Sequence, residues 1–120
     1  MHPALLTAGS VLGFLGVALG AFGAHALEAR LDAHAKSIYQ TGVQYHLVHA
    51  LAVVLCAVWA REHATAATAG WAFVGGVVVF SGSLYLLAVT GRTWLGAVTP
   101  LGGLALLAGW LLLAWTGVRG

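Results

Sequence analysis

The sequence predicts an all-α membrane protein: four transmembrane helices in an up-down-up-down bundle, with a short amphipathic interfacial helix between the first and second. Three observations carry this. Of 120 residues, 61% are hydrophobic and only 7% charged, with a mean hydropathy of +0.95, whereas a soluble domain carries about a quarter charged residues. Four stretches, residues 4–26, 43–60, 70–90 and 94–116, are apolar over about the length that crosses a bilayer. None of them contains Asp, Glu, Lys or Arg, so every charge falls in a link or beyond the last span. The length suits a single transmembrane domain over residues 1–120.

The first span ends in Ala24-His25-Ala26, which mimics the small-residue cleavage site of a signal peptide. Its start has no Lys or Arg and its apolar run exceeds an h-region, so the expectation is a retained helix. Gly13, Gly16, Gly20 and Gly23 recur at spacings of three, four and three, a stripe that predicts close approach of a neighbouring helix. In the first link, Leu27, Leu31, Ala35 and Ile38 keep helical spacing, while Glu28, Asp32 and Lys36 occupy another face. That pattern predicts the interfacial helix, with Asp32 and Lys36 as an i,i+4 pair.

The second span is the most polar, because His46 and His49 lie in it one turn apart. Its lone Cys56 has no intrachain disulfide partner and reads as a small apolar side chain. The third span carries Gly75, Gly76, Ser81, Gly82, Ser83 and Tyr85. The fourth carries Gly102 and Gly109 on similar faces, with Gly103 beside them and Pro100 near its start; the proline lacks an N–H and predicts a kink that frees a carbonyl. Aromatic residues agree with alternating spans: Trp59, Trp71 and Trp115 fall towards one surface, and Tyr39, Tyr45 and Trp94 towards the other. Three Lys/Arg in the first and third links against two on the other side leave the orientation undecided.

Alternating directions gather the polar side chains of the spans into one half of the bilayer. His25, His46, His49, Ser81, Ser83, Tyr85 and Thr99 all fall towards the first and third links, and polar groups inside a membrane usually point inward. Three imidazoles could hold a metal or haem or relay protons. They could equally be hydrogen-bonded to Ser, Thr, Tyr and backbone and so fix helix register. Tyr85 could serve a histidine, a quinone-like ligand or the aromatic belt. No carboxylate lies inside a span to drive proton-coupled transport, no phosphate-binding glycine loop occurs, and no acid is placed to orient a Ser–His pair. A net charge of +2 gives no footprint for nucleic acid. No catalytic constellation, metal set or cofactor is predicted.

Three segments carry a family resemblance: GAFGAHAL at 20–27, TGVQYHLVHALAVVL at 41–55 and VTPLGGLALLAGWLLLAW at 98–115. Together they resemble the domain-of-unknown-function 423 family, the YgdD/YwdK-like small membrane proteins of bacteria. His25, His46, His49, Pro100, Gly102 and Gly103 fall on the family's motif positions. The resemblance implies four membrane helices and a multi-pass place in the bacterial inner membrane, and it carries no reaction, cofactor or partner. The residues leave two functions to weigh. One is a non-catalytic binding or accessory protein among membrane lipids, packed as a homo-oligomer or as a subunit of a larger membrane complex. The other is a histidine-lined site for metal, haem, quinone or protons.

Overall fold

The computed structural model describes residues Met1–Gly120. It is all-helical, and its four long helices are each apolar enough to cross a membrane: α1 (Pro3–Leu27), α2 (Ala33–Trp59), α3 (Ala64–Thr90) and α4 (Leu95–Arg119). Pro3 opens α1, where a missing N–H costs nothing. The preceding His2 accepts from the Leu5 N–H through Nδ1 and donates its own backbone N–H to Ala57 O. α3 ends at Gly91, whose φ of 71° suits a residue without a Cβ.

α1 is not uniform. Ala18–Gly23 form a π-helical segment, so the Ala24 N–H reaches back five residues to Leu19 O. The widened turn receives Tyr39 of α2: its hydroxyl donates to Leu19 O at 2.6 Å and occupies the space that a Gly23 side chain would need. A π-bulge commonly marks an insertion of this kind.

The segment between α1 and α2 departs from expectation. No separate interfacial helix forms there. Residues 28–32 make a turn, Asp32 caps α2 by accepting from the Ala35 N–H at 2.8 Å, and the helix runs unbroken from Ala33 to Trp59. α2 therefore begins ten residues before the expected 43, because nothing between 33 and 43 breaks a helix once it is capped. The Asp32–Lys36 pair does not form either. Asp32 is spent on the cap, and Lys36 bonds Glu28 at 2.9 Å, which holds the Glu28 carboxyl below its ordinary value.

α2 and α3 form the centre, α1 packs on α2 and α4 packs on α3, while α1 and α4 share no substantial contact. The helices thus form an array of 48 × 26 × 18 Å that stays open between α1 and α4. Partners descend one helix as they ascend the next: Gly9 meets Val54 and Gly20 meets Val43; Gly42 meets Tyr85 and Gly70 meets Cys56; Gly102 meets Phe80 and Gly109 meets Phe73. Leu5, Leu12, Val53, Cys56, Phe73 and Val77 anchor the buried core.

The glycine stripe of α1 needs one correction. Gly16, Gly20 and Gly23 face α2, but a Cβ on Gly13 would meet nothing within 4 Å. At about 100° per residue, Gly13 stands some 60° round the helix from Gly16, far enough to leave the seam, and Gly9 takes its place. In α3 Gly70 and Gly76 are packed, against Leu5 and Leu106, while Gly75 and Gly82 face open space. α4 continues helically through Pro100.

Candidate functional site

His46 links three helices. Its Nε2 lies 2.7 Å from Leu12 O of α1, and its Nδ1 lies 2.8 Å from the Tyr85 hydroxyl of α3. The partners fix the tautomer, since a carbonyl can only accept: Nε2–H donates to Leu12, and Nδ1 accepts from Tyr85. The residue is 4% exposed. His49, 5% exposed, takes the opposite tautomer. Its Nδ1–H donates to Tyr45 O at 2.8 Å, one turn back on the same helix, and its Nε2 accepts from the Trp110 indole at 2.9 Å.

Both imidazoles are therefore complete as neutral rings. Each has one proton given to a carbonyl and one lone pair filled by an O–H or N–H, so neither offers a free lone pair to a metal. His25 does not join them. It is exposed in the last turn of α1, and its imidazole makes no hydrogen bond. No group of three His, Cys, Asp or Glu side chains is disposed to hold a metal ion. The expected three-histidine cluster is corrected to a pair, because sharing one half of the bilayer does not bring a residue at the helix end round to the inner face.

The remaining polar residues fall into two local sets. Ser81 donates to Gly42 O at 2.7 Å across the α2–α3 seam. Ser83 and Thr99 share a 2.6 Å bond between α3 and α4, each also within reach of a carbonyl of its own helix, Phe80 O and Leu95 O. Tyr85 gives its hydroxyl proton to His46 and so has no donor left for a ligand or for the membrane surface. At the opposite end, Thr65 and Thr116 pair across α3 and α4.

Sequence reasoning missed three participants. Tyr39 is buried in the π-turn rather than set at the membrane surface. Trp110 is the hydrogen-bond partner of His49. Tyr45 stacks on the His49 ring with centroids 6.0 Å apart and planes 7° apart, and leans on Phe80 at 4.8 Å. With Phe73, 4.9 Å from Trp110, these rings make an aromatic cluster joining α2, α3 and α4. The available signal was a tryptophan near the middle of a span, where a belt residue has no place.

The family model described as a protein of unknown function, DUF423, matches residues 19–103. The chain is 43% identical to the UPF0382 membrane protein YwdK of Bacillus subtilis over 92% of this chain and 93% of that protein. It is 40% identical to a UPF0382 membrane protein of Haemophilus influenzae over 96% of this chain and 94% of that protein. It is also 40% identical to the UPF0382 inner membrane protein YgdD of Escherichia coli, over 96% of this chain and 89% of that protein. No solved structure matches the chain. The match spans the end of α1, all of α2 and α3 and the beginning of α4, and so takes in His46, His49, Tyr85 and Gly102: this chain is a multi-pass membrane protein of the DUF423 family.

Proposed function

We propose that this chain is a non-catalytic accessory protein of the bacterial inner membrane, crossing it up-down-up-down and packing against copies of itself or against a larger membrane complex. One observation carries the proposal: both buried histidines have every ring nitrogen committed inside the chain. Polar groups in hydrocarbon that are fully paired act as glue between helices, and none of this pair is left for proton transfer or ligation. The open array supports the same reading. Phe14 and Phe22 of α1 and Leu104 and Leu111 of α4 are all more than 60% exposed, so both outer helices present apolar faces to lipid or to another membrane subunit.

The test is gentle solubilisation from native membrane followed by native mass spectrometry and metal analysis. The expected result is a colourless, metal-free assembly of defined stoichiometry, holding several copies or a reproducible partner. A monomer in lipid nanodiscs that recruits nothing from native membrane would overturn the accessory role. Stoichiometric metal or haem lost on His49→Ala would replace it with a site-bearing function.

A further inference from the structure

A groove of about 610 Å³ opens beside the His49–Trp110 pair, between α2, α3 and α4. That volume is in the range of small-molecule sites, roughly 300–1,000 Å³. Phe80, Trp110 and Tyr45 supply its aromatic walls, Leu107 its aliphatic one, and Gly103 leaves it open. The groove lies along the middle of the helices rather than at their ends. Tyr45 stands one residue before the midpoint of α2, and Phe80 and Trp110 within three residues of the midpoints of α3 and α4. At about 1.5 Å rise per residue, a hydrocarbon layer about 30 Å thick and centred on these helices takes in all three.

The hydroxyls distinguish Tyr45 from the other two tyrosines. Tyr39 donates to Leu19 O and Tyr85 to His46. Tyr45 is 42% exposed at the groove, and its hydroxyl has no partner within the chain. An unpaired O–H donor in hydrocarbon is costly. The His49 ring stacked beneath it holds the phenol in place and is itself held by Trp110. The missing partner is therefore a hydrogen-bond acceptor carried by something soluble in the bilayer interior. A phospholipid tail has none at this depth, since its ester carbonyls lie near the headgroups. A flat ring bearing carbonyls has both the acceptor and the face that three aromatic walls favour.

We propose that this groove binds the ring of a lipid-soluble quinone, with Tyr45 donating its hydroxyl to a ring carbonyl and the ring packed among Phe80 and Trp110. The inference concerns binding alone. It goes beyond the accessory role and does not depend on it: the groove lies within one chain, whatever that chain assembles with.

The test places the protein in phosphatidylcholine nanodiscs and titrates radiolabelled decylubiquinone, with empty nanodiscs giving the linear partition background. Saturable retention of one molecule per chain above that background is expected, with no competition from decanol, which has a tail and no ring. Tyr45→Phe removes one hydrogen bond and should weaken retention by about fivefold to tenfold. Gly103→Leu should abolish it by filling the groove. A Cβ at Gly103 meets only the Phe80 ring, at 3.7 Å, which is ordinary contact, so the helices keep their places; helicity and thermal melting check this. Should that variant unfold, Tyr45→Phe alone decides. Retention equal to empty nanodiscs, retention unchanged in Tyr45→Phe, or displacement by decanol each overturns the proposal. So does a wild-type dimer that Gly103→Leu dissociates while no quinone is retained, since the groove would then be filled by a second copy.

Discussion

The seam between α1 and α2 and the seam between α3 and α4 both close over glycine, but they meet it with different things. Against α1, the atoms facing Gly16 and Gly20 are the ends of side chains, Leu47 Cδ2 at 2.7 Å and Val43 Cγ1 at 2.9 Å from where a Cβ would stand. Against Gly102 of α4 stands the backbone of Phe80, with its Cα at 2.7 Å and its amide nitrogen closer still. A leucine tip can swing aside; a helix backbone cannot. The first seam is adjustable at Gly16 and Gly20 and tightens only at Gly9, against the Val54 backbone; the second is fixed at Gly102, next to the aromatic cluster and its groove.

Gly102→Ala is accordingly the largest break. One methyl group there must separate two helices, and an overpacked core costs up to about 3 kcal/mol. Gly16→Ala should cost about 1 kcal/mol, at the low end of overpacking, because Leu47 can change rotamer. Thermal unfolding of both variants in one detergent measures the contrast, and equal losses would mean the two seams are equally rigid.

The histidines sharpen the same comparison. His46→Leu strands Leu12 O and the Tyr85 hydroxyl on two different helices, a loss of about 1–2 kcal/mol by the range for interhelical bonds in membranes. His49→Leu should cost less. Its Nδ1 bond is local to α2, and only the Trp110 indole loses a partner from another helix. Urea or SDS titration in mixed micelles ranks the pair, and a larger effect at His49 would move the structural keystone from the junction of α1, α2 and α3 to the bridge between α2 and α4.

How much of this was legible follows from what each feature depends on. The four helices were visible because hydrocarbon demands long apolar runs, which composition records directly. The start of α2 was not. Residues 33–42 are too polar to score as a span, and only the Asp32 cap shows that they belong to the same helix. Grouping the polar residues in one half of the bilayer needed only depth, and depth follows from counting along the chain. Partnerships need angle as well. The π-segment changes the angle of everything after Ala18 in α1, so neither the socket for Tyr39 nor the separation of His25 could be counted out. Trp110 carries no polar signal that predicts a hydrogen bond to His49, since its indole N–H is hidden in a mostly apolar side chain.

A smaller effect belongs to the turn that joins the adjustable seam together. Lys36 holds the exposed Glu28 carboxyl below its ordinary 4.5. The folded value is the lower one, so the pair's contribution is present above the ordinary value and disappears as pH falls through the depressed one. Hydrogen-exchange protection factors at the first amides of α2, taken against the intrinsic exchange rate at each pH, should therefore fall on acidification into that range, and fall less in high salt, which screens exposed pairs. Lys36→Met should remove the part of the pH dependence that the pair contributes and leave that of the Asp32 cap. No counterpart is expected at the Gly91 turn beside the fixed seam, which has no ion pair.

Gly13→Ala is the smallest effect and the sharpest check on where the adjustable seam ends. Spacing alone places Gly13 with Gly16 and Gly20, and on that basis a methyl group should push α1 from α2. The structure leaves its Cβ direction empty. The helix should then gain the backbone advantage of alanine over glycine, about 0.5–1 kcal/mol in water and less in a bilayer, where a helix has few alternatives. The expected melting temperature is unchanged or slightly raised, while Gly9→Ala, whose Cβ would meet Val54 Cγ2 at 2.8 Å and the Val54 amide nitrogen at 3.0 Å, lowers it. A loss at Gly13 as large as at Gly9 would mean that a neighbour outside this chain packs against α1 there, and the face that contacts lipid would have to be redrawn.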